Sequence, residues 1–269
     1  MTTLTPVLLA TLRFIIASIV FTPIIFIESR RGANLNVDDL KELALLGFLS
    51  ISVYFWLQYM GVKHAGAGVS ALLVVGLIPI LTGFASTKVL GERLTAYKAL
   101  GTAIGLLGVA LITVPGLFIG EIDWCFYLGI VCLLLNGVCW ATYSTLSRRL
   151  MKRLGRPALV TSYVTVLGTM ALVPMSVASD WALVGSLGPL QWMSVLYLAV
   201  LCSGLGYLLW NFALSKLETV KAAVWLYFEP VVAFIGEIAI FGAIPSPTTL
   251  FGGLIIFLGV YITNRAGDQ

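Results

Sequence analysis

Glu229 offers the most chemistry in this chain. It stands directly before Pro230 in the apolar run Trp225-Leu226-Tyr227-Phe228-Glu229-Pro230-Val231-Val232-Ala233-Phe234. A carboxylate among aromatics is costly in an apolar medium, and proline removes a backbone donor. Such a pair persists where packing or a water-lined cavity compensates. Two readings fit Glu229: a site for a solute amine or a proton, or a carboxyl hydrogen-bonded to a neighbouring helix or near a membrane surface. Pro230 leaves the Leu226 carbonyl without its helical donor, and Pro79 does the same to Val75. Both prolines are therefore expected to kink their helices. Glu237 lies about 80° round the helix from Glu229, at 100° per residue. It can share a cavity with Glu229 or sit near its mouth.

Arg13 is a cation inside the first apolar segment. It can hold a solute carboxylate, pair with Glu229, or serve structure near the membrane surface. Gln58, Asn136 and Asn211 are amides in apolar stretches. Tyr54, Trp140, Tyr207, Trp210 and Trp225, with Trp56 and Tyr143, lie at comparable depth. Aromatics in such segments are packing or interface belts by default. Several stand beside polar residues, so together they are expected to line a cavity for a small amphipathic solute. No nucleophile–base pair, phosphate loop or catalytic constellation is readable, so an enzyme is not expected. The four cysteines (Cys125, Cys132, Cys139, Cys202) form no CxxC pair and His64 is the sole histidine, so neither a metal site nor another cofactor is expected.

The elements that must position these residues are membrane spans. The chain has 269 residues, 59% hydrophobic and 10% charged. A soluble domain carries about 25% charged residues. Segments of roughly 20 apolar residues, the length that spans a bilayer, fall at about 7–27, 42–60, 66–87, 96–115, 124–146, 158–178, 190–213, 219–242 and 247–264. The net charge of +4 is spread over loops and gives no footprint for nucleic acid. The expected partners are a small-molecule solute and the lipid bilayer, with the chain a monomer or, if a span is genuinely lacking, an oligomer. With an external amino-terminus, every lysine and arginine except Lys63 and Arg13 falls in cytoplasmic connections or at the cytoplasmic tail, out of 16. The positive-inside rule therefore places the amino-terminus outside and the carboxy-terminus in the cytoplasm.

A shift of 151 positions brings Pro79 onto Pro230, Gly91 onto Gly242, Gly101 onto Gly252, Gly108 onto Gly259 and Val109 onto Val260. The turn after the Pro79 helix is basic (Lys88, Arg93, Lys98). The turn after the Pro230 helix, Phe241-Gly242-Ala243-Ile244-Pro245, is not. The copies are therefore expected to be inverted in the membrane, a design of secondary transporters.

These residues carry a resemblance. Leu90-Gly91-Glu92-Arg93-Leu94 with Pro79, Gly101 and Gly108 resembles the EamA unit of the drug/metabolite transporter superfamily. Phe228-Glu229-Pro230 with Gly242, Gly252 and Gly259 resembles the same unit again. Leu12-Arg13-Phe14 is similar to its second helix, and Asn136-Gly137-Val138-Cys139-Trp140-Ala141 to the first helix of the second unit. The resemblance implies an all-α integral membrane protein of two inverted repeats, residues 1–117 and 118–269, in a bacterial inner membrane. It implies a secondary transporter that exports a small metabolite such as an amino acid by alternating access. The family pattern has ten spans against nine here, the first of the opening repeat being the one without a match. A non-transporting scaffold or sensor on the same fold is the alternative.

Overall fold

The computed structural model describes residues 4–32, 35–114, 123–242 and 247–265. The boundary expected near residue 117, and Ala243-Ile244-Pro245 of the second turn, lie outside them. Nine helices among the described residues are long and apolar enough to cross a membrane. They are α1 Pro6–Arg30, α2 Val37–Ala65, α3 Ala67–Leu90, α4 Ala96–Thr113, α5 Trp124–Leu154, α6 Pro157–Met175, α7 Pro189–Lys216, α8 from Thr219 and α9 Pro247–Arg265. Each expected span corresponds to one of them, with ends shifted by a few residues. No strand occurs among the described residues.

The starts follow sequence chemistry. Pro opens α1 and α6, where its missing N–H would be unsatisfied anyway. Asn36 and Asp39 close a capping box at the start of α2. The ends of α3 and α8 fall at Gly91 and Gly242, whose φ values of 67° and 64° are left-handed and open to glycine at little cost.

The repeat is visible in local structure. Pro6 and Pro157 are 151 apart. So are Thr5 and Arg156, which precede these helices, and Gly91 and Gly242, which end the third pair. α2 carries a π-helical stretch at Phe48–Val53, and α7 carries one at Leu198–Gly206, over the matching positions. α5 has no counterpart within the chain. One difference separates the copies. α3 runs unbroken through Pro79, whereas α8 is assembled from Thr219–Ala223, a 3-10 stretch Val224–Phe228 and Glu229–Phe241. Pro230 thus stands in the first turn of a fresh helical piece, where its missing donor costs little. Near Pro79 the Tyr227 hydroxyl donates to the Gly76 carbonyl at 3.2 Å and supports that turn of α3.

The chain forms two compact units, and these are not the two sequence repeats. One comprises residues 1–59 and 146–216, the other 60–145 and 217–269. Each draws helices from both repeats.

In the first unit, α1 crosses α6 through a reciprocal set of bonds. Ser18 Oγ donates to Thr169 Oγ1 at 2.8 Å and reaches Thr165 O at 3.5 Å. Thr169 Oγ1 reaches Phe14 O at 3.3 Å. Ser18 and Thr169, like Phe14 and Thr165, are equivalents under the 151 shift, so a local two-fold axis runs through this crossing. Gly47 and Gly168 let α2 approach α6: a Cβ on Gly168 would stand 2.6 Å from Gly47 O. At one end of the unit Arg149 pairs with Glu42 at 2.8 Å, Arg153 pairs with Asp39 and Glu42, and Arg156 pairs with Glu28 at 2.8 Å.

In the second unit, α4 crosses α9 by the same symmetry. A Cβ on Gly101 would stand 2.6 Å from Gly259 O, and one on Gly108 would stand 2.7 Å from Gly252 O. As residue numbers rise along α4 they fall along α9. The two helices are antiparallel, and the copies they belong to are inverted. The core around this crossing holds Val75, Val109, Val224, Tyr227, Ile256 and Val260.

Candidate functional site

In the first unit the structure gathers Arg13, Tyr54 and Tyr207 around two phenylalanines. The Arg13 Nε donates to Ser203 Oγ at 2.6 Å. Its guanidinium carbon lies 4.9 Å from the Phe55 ring centroid and 5.2 Å from that of Phe14, within cation–π range. Phe14 is fully buried and meets Phe55 edge-on at 5.1 Å and Tyr207 edge-on at 5.7 Å. Tyr54 packs on Phe55 at 5.1 Å. The Tyr207 hydroxyl donates to Ser50 O at 3.1 Å. Ser50 and Ser203 both belong to π-helical stretches, whose wider turn alters which backbone and side-chain groups face a neighbour.

The 151 shift clarifies this arrangement. Ser203 is the equivalent of Ser52, and the Ser52 hydroxyl donates to Gly168 O at 3.0 Å. Arg13 is the equivalent of Val164. One serine of the pair therefore meets backbone and the other meets a guanidinium. Among the described residues no carboxylate pairs with Arg13.

Asn211 is fully buried in α7, and its amide donates to Thr161 Oγ1 at 2.9 Å. Gln58 and Trp210 are half-buried in α2 and α7. Arg148 is buried and donates to the Leu214 carbonyl near the end of α7.

In the second unit the ring contacts of the expected residues fall at Trp140 and at Trp225. Asn136 is fully buried on α5, and Trp140, one turn on, packs against Tyr143 at 5.4 Å. Trp225 is 54% exposed and stacks on Phe228 at 5.5 Å. Phe228 meets Phe257 edge-on at 4.6 Å. Glu229 is exposed at the first residue of its helical piece, and its equivalent in the first repeat, Ile78, is 3% exposed. The Glu237 side chain lies outside the described residues.

A second group in this unit was not visible in the sequence. Lys98 is 2% exposed, and its ammonium meets Glu218 at 2.5 Å and Arg93 O at 2.9 Å. Glu92 accepts the Thr219 N–H at 3.0 Å and so caps the start of α8. The turn Leu90-Gly91-Glu92-Arg93-Leu94 thus fastens α3 and α4 to the beginning of α8. Among the described residues no cluster of histidine, cysteine or carboxylate side chains could hold a metal ion.

The model of the EamA-like transporter family matches residues 1–114 and 127–265. The chain belongs to that family. A protein of Archaeoglobus fulgidus described as an uncharacterized transporter is 30% identical to this EamA chain over 262 residues, covering 97% of this chain and 90% of its own. A probable terminal-alkyne amino-acid exporter of Streptantibioticus cattleyicolor is 29% identical over 228 residues, 84% of this chain and 74% of its own. The inner membrane protein YtfF of Escherichia coli is 26% identical over 276 residues, 96% and 86% respectively. One crystal structure superimposes with a TM-score of 0.81 at 20% identity over 97% of this chain and 87% of its own, a likeness of fold. The EamA chain is a membrane transporter.

Proposed function

We propose that this EamA-family transporter is a secondary exporter of small amphipathic metabolites, amino acids or their relatives foremost, in a plasma membrane. The observation that carries the reading is the inverted two-fold symmetry of the α4–α9 crossing, with Gly101 against Gly259 and Gly108 against Gly252. Two inverted copies can exchange conformations, which gives two states of similar energy open to opposite sides. That is the physical basis of alternating access. The name of the Streptantibioticus relative supports the solute class, and that of the Escherichia relative supports the membrane.

Arg13, Tyr54, Gln58, Tyr207, Trp210 and Asn211 are the solute-facing candidates of the first unit. Asn136, Trp140, Trp225 and Glu229 are those of the second. Within them, Glu229 is the group for proton coupling, because a carboxyl in an apolar span can take and release a proton. The test is amino-acid transport by the purified chain in proteoliposomes, with and without an imposed pH gradient. Glu229→Gln is expected to abolish the gradient's effect while solute exchange without a gradient persists. Unchanged dependence on the gradient would overturn the coupling role.

A further inference from the structure

A guanidinium within a membrane span is costly, and two remedies are usual: reaching the surface, or pairing with an acid. Arg13 uses neither. Its Nε is bonded to Ser203, which lies at the middle of α7, Pro189–Lys216. At 1.5 Å per residue, Ser203 is about 20 Å of helix from either end. Phe55, under the guanidinium face, lies about one turn past the middle of Val37–Ala65. The Arg13 head therefore points to the depth at which transporters hold their solutes.

The head is also fixed. Phe14 and Phe55 are locked edge-on to each other, Phe14 meets Tyr207, and Tyr207 is held by its bond to Ser50 O. The Nε edge is spent on Ser203. Among the described residues the two Nη atoms carry no hydrogen bond and no ion pair. They present the parallel N–H donors that match a planar carboxylate.

Two further observations weigh on the assignment. The repeat does not need the cation: at the equivalent place stands Val164, and the equivalent serine, Ser52, is satisfied by Gly168 O at 3.0 Å. Among the described residues no second cation stands at the middle of a span, so the charge suits a single carboxylate group. The aromatic floor suits an apolar body attached to it.

We infer that Arg13 is the anchor for the carboxylate of the exported solute, with Ser203, Phe14 and Phe55 as its positioning residues. The inference rests on the transporter reading above and adds the group by which the solute is recognised.

The experiment uses the full chain, purified and reconstituted, with the proteinogenic L-amino acids each compared with its carboxamide. Thermal stabilisation and solute exchange are both read. At least one acid is expected to bind and exchange about 10- to 100-fold better than its amide, the range of a charge-assisted bidentate pair. Arg13→Gln should bring that ratio to about one, because the acid loses its charged partner. Arg13→Lys keeps the charge without the fork and should fall between, which preserves the test if the glutamine variant does not fold. Ser203→Ala should lower the ratio by loosening the head. A wild-type chain that treats acid and amide alike while exchanging both overturns the anchor and leaves the transporter reading standing. The same holds for a wild-type ratio that survives in Arg13→Gln and Arg13→Lys. If neither acids nor amides exchange, the anchor and the amino-acid reading fall together.

Discussion

Among the charges that depart from the repeat, Arg13 stands where its copy has Val164, and Glu229 stands where its copy has Ile78. Symmetric positions serve the frame, so departures from it are where function can be added. Lys98 also departs from the repeat, with Thr249 in its copy, yet it serves the frame. Lys98 sits in the first turn of α4 with a 2% exposed side chain, and its only acidic partner among the described residues is Glu218 at 2.5 Å. Glu218→Gln should lower the thermal midpoint in detergent, at a cost of about 1–3 kcal/mol, because a buried ammonium is left with neutral partners. Lys98→Met with Glu218→Gln should recover part of that loss. A double variant no better than the single one would show that the pair is not the source of the cost. The sequence marked Arg13, Tyr54, Tyr207 and Glu229 because charge and hydroxyl are rare among apolar residues. It did not mark Ser203, since one serine in a span is unremarkable. Only the 151 register, which pairs it with Ser52, singles it out. Lys98 read as one more loop cation, because its burial depends on the reach of Glu218 from a distant segment.

At the level of elements, close helix crossings carry the symmetry, and glycine makes them possible. A Cβ on Gly101 would stand 2.2 Å from Thr263 Oγ1 and 2.6 Å from Gly259 O. A Cβ on Gly259 would stand 2.5 Å from Gly105 N. Backbone cannot step aside as a side-chain tip can, so α4 and α9 must separate. Gly101→Ala and Gly259→Ala should each destabilise by about 1–3 kcal/mol or more, read as a lowered midpoint and a loss of folded protein in detergent. Gly236→Ala is the control, since nothing lies within 4 Å of its added Cβ. Equal tolerance of all three would mean that the crossing is looser than these distances. The glycine register was legible because Gly and Pro recur in few places. The π-helical stretches Phe48–Val53 and Leu198–Gly206 were not, because one extra residue in a turn leaves no mark on an apolar pattern. Nor was the different fate of Pro79 and Pro230, which depends on what surrounds each one.

For the whole molecule, nine spans were readable from apolar length alone, but the partition into compact units was not. It takes residues 1–59 with 146–216 and 60–145 with 217–269, a matter of distant contacts. Orientation remains a question of charge. The basic residues by which the charge rule would assign α5's end to the cytoplasm do not stand alone: Arg149 and Arg153 pair with Glu42 and Asp39, and Arg156 pairs with Glu28. Such pairing does not cancel the bias, since acids contribute little to the positive-inside rule. Lys63 and Arg93 are both exposed, and they fall on opposite sides in the orientation derived from charge. In a chain whose four cysteines are replaced, Lys63→Cys should react with a membrane-impermeant maleimide in intact cells. Arg93→Cys should react only after the cells are opened. Because both positions are exposed, the side of the membrane decides their access, and the reverse labelling pattern would invert the assignment. A second, reciprocal readout comes from the tail: Arg265 closes α9 on the side assigned to Arg93. Arg265→Cys should therefore follow Arg93→Cys. If it followed Lys63→Cys, an odd number of spans would not lie between the Lys63 end and the tail, and the nine-span topology itself would have to be redrawn.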